Sequence, residues 1–181
     1  KSSNKELFNL ALYNQKNKNF SVAINLYQKL IEINPNIALV YYNLGLIYEK
    51  LAKKDLAKKN YKQAIKIDGL FFYAYNNLGN SLKELGKTKE AVDNYKKAIE
   101  IDSNYIKAYK NLGIAFFKLR EFQKAISCHK KAIQLDPNDL NSHTNLGILL
   151  GCDPLNLKTC PALFWDNILN SRPLTTGNAM I

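Results

Sequence analysis

The dipeptide Leu-Gly returns every 34 residues, at Leu44-Gly45, Leu78-Gly79, Leu112-Gly113 and Leu146-Gly147, each time preceded by Asn (Asn43, Asn77, Asn111, Asn145). One period earlier stands Asn9-Leu10-Ala11, with Ala in the glycine slot. A fixed period of this size implies stacked copies of one supersecondary unit, each too small to bury its apolar face alone. Such a chain offers an extended surface rather than one enclosed catalytic pocket.

Other positions keep the same step. Ala23, Ala57, Ala91 and Ala125 are followed by Tyr27, Tyr61, Tyr95 and His129, and then by Leu30, Ala64, Ala98 and Ala132. A breaker closes each copy: Pro35, Gly69, Ser103 or Pro137, behind the turn formers Asn34, Asp68, Asp102 and Asp136. Ile24, Tyr27 and Ile31 keep helical spacing, so each copy reads as two helices with an apolar stripe. The small residue of the first helix lets the second approach, and the breaker turns the chain into the next copy.

These residues resemble the tetratricopeptide repeat family, whose pattern of aromatic, Leu-Gly, aromatic, Ala, aromatic, Ala and Pro spans 34 residues. The resemblance implies an all-α, right-handed superhelical solenoid. Its repeats fall at about 4–37, 38–71, 72–105 and 106–139, with a partial fifth at 140–150. The first copy departs most, with Leu7, Ala11 and Asn14 in place of the aromatic, Gly and second aromatic, as suits a terminal repeat. Residues 151–181 form a C-terminal extension. Pro161 to Leu169 reads as an amphipathic helix at about 161–170, carrying Leu163, Phe164, Ile168 and Trp165, the only Trp; it is expected to cap the array. Ser171–Ile181 is expected to be poorly ordered.

The family resemblance also implies that the first helix of each pair lines the inner curve. The candidate peptide-binding residues on that basis are Asn9, Tyr42, Asn43, Tyr73, Asn77, Lys107, Lys110, Asn111 and Asn145. An Asn amide both donates and accepts, so one per repeat can pair with the N–H and C=O of an extended peptide. The series resembles the asparagine ladder in the repeat region of the O-linked N-acetylglucosamine transferases. The flanking aromatics and lysines point to an acidic or aromatic-containing segment. The Lys/Asn clamp with which chaperone-binding members hold a C-terminal carboxylate is incomplete here. In the best frame, Tyr42, Leu46 and Asn111 stand where it needs other residues, and Asn77 and Lys107 alone fit.

Charge narrows the partners. The net charge is +11, yet only Arg120 and Arg172 of the 26 basic residues are Arg. A lysine excess with so little arginine argues against specific nucleic-acid recognition and fits a solvated face or attraction to acidic proteins. No apolar run reaches the roughly 18 residues of a membrane span. Cys128, Cys152 and Cys160 make no disulfide framework, which points to a reducing, cytoplasmic setting. His129 and His143 occupy aromatic core slots, the Cys residues lack metal-site spacing, and no Gly-rich phosphate loop is present. No catalytic residues, cofactor or metal are therefore expected. Two other readings remain open: a substrate-recruiting region of a larger enzyme such as a glycosyltransferase, and a scaffold that self-associates through the C-terminal extension. The chain begins at Lys1 without Met, which fits a piece of a longer protein.

Overall fold

The computed structural model describes residues 2–151, and every regular element among them is an α-helix. The helices group into two compact units that divide between Ser103 and Asn104. The first holds α1 (Ser2–Lys16), α2 (Phe20–Ile33), α3 (Ala38–Lys50), α4 (Lys54–Ile67), α5 (Phe72–Glu84) and α6 (Thr88–Ile101). The second holds α7 (Ile106–Lys118), α8 (Phe122–Leu135) and α9 (Leu140–Leu149). Within each unit every helix packs against the next in sequence. The pairs α1/α2, α3/α4, α5/α6 and α7/α8 follow one another at the 34-residue step, and α9 comes after them. The segment expected as a helix at about 161–170, with Trp165, Cys152 and Cys160, lies outside the described residues.

The recurrent small residues act as expected. Ala23, Ala57, Ala91 and Ala125 are fully buried, as are Tyr27, Tyr61 and Tyr95; His129 is 1% exposed. A Cβ placed on Gly79 would lie 2.5 Å from the Tyr95 ring, and one on Gly45 would collide with Tyr61. On Gly113 it would lie 2.7 Å from His129 Nε2. Each of these three rings therefore seats directly on the backbone of the preceding helix, where its partner position is glycine. Burying such a ring stabilises the pair by about 1.5–3 kcal/mol.

Each of the first four pairs is joined by the same turn. Lys53 N–H reaches the Tyr48 carbonyl at 2.8 Å and Ala52 N–H reaches that of Glu49 at 2.9 Å, with matching bonds one period away on either side. This closure puts one residue in the left-handed region: Lys18 (φ 62°), Ala52 (57°), Gly86 (79°) and Arg120 (59°). Only the third copy supplies the glycine that such a φ favours. Between repeats the side chains of Asn34, Asp68 and Asp136 accept from the N–H two residues on, at 3.0–3.1 Å. These Asx-turns are the physical content of the breaker pattern.

Candidate functional site

Two successive first helices of the first unit, α1 and α3, enclose a pocket of about 650 Å³. Leu12, Phe20, Leu46 and Ile47 supply its apolar surface, and Lys16, Lys18 and Lys50 stand at its exposed rim. Gln15 and Asn43 add amides. Helical spacing explains the set: Leu12 with Lys16 and Leu46 with Lys50 are four apart, each pair on one helix face and one period from the other. The Tyr27 hydroxyl donates to Gln15 Oε1 at 2.7 Å, so the core ring of the first repeat also fixes one wall. Burial raises the Tyr27 pKa and keeps that hydroxyl protonated as a donor.

Asn43 is only 6% exposed and contributes to the pocket lining. One repeat on, Asn77 is differently placed. Its Nδ2 donates to the Tyr42 hydroxyl at 3.2 Å and its Oδ1 accepts from Asn76 at 3.0 Å. Tyr42 lies in an aromatic cluster, 4.9 Å from Phe71, 5.9 Å from Tyr61 and 6.4 Å from the exposed Tyr73, centroid to centroid. Burial raises the Tyr42 pKa, partly opposed by the Asn77 bond. Beneath it the half-buried Glu49 carboxyl is also raised by burial, against the opposing hydrogen bond with Tyr61 and with Glu84 adding to the rise. Glu84 itself pairs with Lys54 at 3.2 Å.

The second unit presents a different surface. Lys110 is tied to Asp139 at 2.5 Å, and Asp139 caps α9 by accepting from Ser142 N–H at 2.9 Å. Burial alone would raise the Asp139 carboxyl; the Lys110 and Ser142 hydrogen bonds more than offset it and hold it below the usual range. A smaller pocket of about 140 Å³ is walled by Ile114, Phe117, Asn145, Ile148 and Leu149 over His129. Burial depresses the His129 pKa to about 4, so the imidazole is neutral at physiological pH, and its Nδ1 has no hydrogen-bond partner among the described residues. Lys107 is exposed on α7. His143 Nε2 is anchored 2.9 Å from the Pro137 carbonyl oxygen.

The candidate residues thus fall into separate settings. Asn43 lines the α1/α3 pocket, Tyr42, Tyr73 and Asn77 share the aromatic cluster beside it, and Asn9 is exposed on α1. In the second unit Asn145 lines the small pocket, Asn111 is half-buried on α7 and Lys110 is already paired. Gln15, Lys16, Lys18 and Phe20 had not been singled out. Gln15 and Lys16 precede Glu49 and Lys50 by one period and could have been found by carrying the groove positions back into the divergent first copy. Lys18 and Phe20 belong to the turn and helix start, where the repeat pattern specifies nothing. Among the described residues no cluster of His, Cys, Asp and Glu could hold a metal ion, and no helix is long and apolar enough to cross a membrane.

Comparison with known proteins agrees with this architecture. A family model described as TPR repeat matches residues 11–51 and 79–120. Models described as Tetratricopeptide repeat match residues 106–139, 38–69 and 60–93. No curated protein sequence matches. Among solved structures, a MamA protein superposes with a TM-score of 0.79 at 21% identity, over 93% of this chain and 91% of that one. YrrB, a TPR protein with an unusual peptide-binding site, gives 0.72 at 20% identity, over 93% and 86%. The first TPR of Spaghetti (RPAP3), bound to the HSP90 peptide SRMEEVD, gives 0.61 at 26% identity, over 62% and 89%. The periodic glycine–ring seats, the matching turns and the family models together make this chain a member of the tetratricopeptide repeat family, with the all-α solenoid fold class of that family.

Proposed function

We propose that this chain is a protein-interaction module that binds an extended segment of a partner protein along the first helices of its repeats. The observation that supports this reading is Asn43. Asn43 is largely buried yet lines an open pocket, so the exposed part of this side chain borders the space a ligand would fill. Asn43 holds a donor and an acceptor ready at the wall of an open pocket, the pairing that a peptide bond requires. Proteins of similar fold bind peptides: the RPAP3 repeat carries one, and YrrB has a site for one. The proposed contacts are Asn9, Tyr42, Asn43, Tyr73 and Asn77 in the first unit, and Lys107, Asn111 and Asn145 in the second. Lys110 can join them only by leaving Asp139. The likeness to the asparagine ladder of the O-linked N-acetylglucosamine transferases motivates the series.

Selection of binders from a random-peptide display library tests the reading. Selected peptides should lose about tenfold in affinity on Asn43→Ala, the effect of one or two hydrogen bonds, in titration calorimetry. Binders indifferent to Asn43→Ala and to the Asn43/Asn77/Asn111→Ala triple variant would refute it.

A further inference from the structure

The rim of the α1/α3 pocket gathers three lysines around one apolar floor. Lys54, Lys58, Lys87, Lys97, Lys110 and Lys124 each sit in an ion pair within the protein. Lys16, Lys18 and Lys50, like Lys29, Lys53, Lys59, Lys62 and Lys66, make none among the described residues, but these three alone line the pocket. The nearest carboxylate in sequence, Glu49, is half-buried beside Lys50, whose charge opposes the rise that burial gives its pKa. Lys16 and Lys50 lie in the last turns of α1 and α3, where the helix ends carry partial negative charge. Lys18 stands beyond the helix end and adds a full charge that no dipole offsets. Beneath this rim the surface is apolar: Leu12, Phe20 and Leu46 are half-buried and Ile47 fully buried. The volume of about 650 Å³ exceeds what one side chain fills and suits a short run of chain.

We propose that this pocket selects a partner-protein segment in which a bulky apolar side chain is flanked by carboxylates. The proposal rests on the groove reading above and specifies its ligand. The apolar side chain enters between Leu12, Phe20 and Leu46. The flanking Asp or Glu residues meet Lys16, Lys18 and Lys50 at the rim, where they steer encounter and fix register more than they add affinity. The Asn43 amide and the Gln15 amide nitrogen, whose oxygen is already taken by Tyr27, meet the peptide backbone.

Fluorescence anisotropy with four labelled peptides tests this: Glu-Asp-Leu-Phe-Asp-Glu, the same peptide with Gln and Asn for its acids, the same with Ala for Leu and Phe, and residues 161–169 of this chain. The first should bind, and each of the other three should bind about tenfold more weakly or worse. Lys16→Glu with Lys50→Glu should weaken the first peptide by at least about tenfold, whereas Lys62→Glu, on the exposed face of α4, should leave it unchanged. Equal binding of the uncharged peptide, or indifference to the double reversal, would overturn the acidic selectivity. The groove reading would survive that result if Asn43→Ala still weakened the peptides. Tighter binding of residues 161–169 would overturn the partner-protein source in favour of the chain itself. No binding by any of the four would overturn the proposal, and the display selection would then decide the groove reading separately.

Discussion

The same repeat position carries opposite chemistry in the two units. Where the first unit places Gln15 and Glu49, the second places Phe117; where the first places Tyr27, Tyr61 and Tyr95 in the core, the second places His129. The first-unit pocket is wide and rimmed by lysines that form no ion pair among the described residues. The second-unit pocket is small and apolar, and the nearby Lys110 is neutralised by Asp139. One backbone template therefore supports different surfaces, because the residues that build it are the glycine, the alanines and the ring. The positions facing outward from the first helices are free to vary.

The sharpest way to break this comparison is through the ring seats. Gly79→Leu should destabilise by about 3 kcal/mol or more, since even its Cβ meets Tyr95 at 2.5 Å. In urea melts, Gly79→Ala should also lower the midpoint more than Gly113→Ala, whose Cβ meets the His129 ring tip at 2.7 Å. Equal losses would mean that histidine seats as tightly as tyrosine, and a Gly79→Leu variant melting within about a degree of the parent would sink the packing account.

Acid should separate the units next. His129 has a folded pKa near 4 against an ordinary value of 6.5, so between these values the unfolded chain binds the extra proton. Stability then rises with pH, and the second unit loses about 3 kcal/mol as pH falls from 7 to 4. Glu49 has the opposite sign. Its folded pKa is raised, the folded chain binds the extra proton, and the first unit gains stability as pH falls from that raised value to the ordinary carboxylate range. Hydrogen exchange, corrected for intrinsic rates, should show α8 amides losing protection on acidification before α4 amides. The reverse order would show that these two groups do not govern the units.

Lys110→Met should cost about 1–2 kcal/mol, because it leaves a partly buried Asp139 without its cation, and the loss should appear as fraying of α9. An unchanged exchange rate in α9 would assign its stability to the Asp139–Ser142 cap alone. The smallest effect concerns the turns. Ala52→Gly should stabilise by about 0.5–1 kcal/mol by relieving a left-handed non-glycine residue, and Gly86→Ala should reverse that amount, both readable in thermal melts.

The periodic features were legible because they answer to one physical demand. Gly45, Gly79 and Gly113 must admit a ring, and Asn34, Asp68 and Asp136 must close an Asx-turn, so identity and spacing survive in the sequence. The left-handed turn recurs just as strictly, at residues 18, 52, 86 and 120, but only Gly86 marks it. A strain of about a kilocalorie is tolerated by Lys18, Ala52 and Arg120, and thus leaves no residue signature. The Lys110–Asp139 pair joins positions 29 apart in different repeats, a separation that no single-repeat pattern encodes. The asparagines share a position but not a setting: Asn43 lines the α1/α3 pocket, while Asn77 is bound by Tyr42 and Asn76.

Lys18 belongs to two of these stories at once, since it holds the strained turn and stands on the pocket rim. Selection at this one codon is therefore pulled in two directions. Drift toward glycine would relax the turn and make the terminal repeat harder to melt, while stripping the pocket of its third cation. A lineage that relies on an acidic partner would keep the lysine and carry a slightly looser first repeat. A lineage freed from that partner would be expected to lose it, making residue 18 a marker of which use of the module persists.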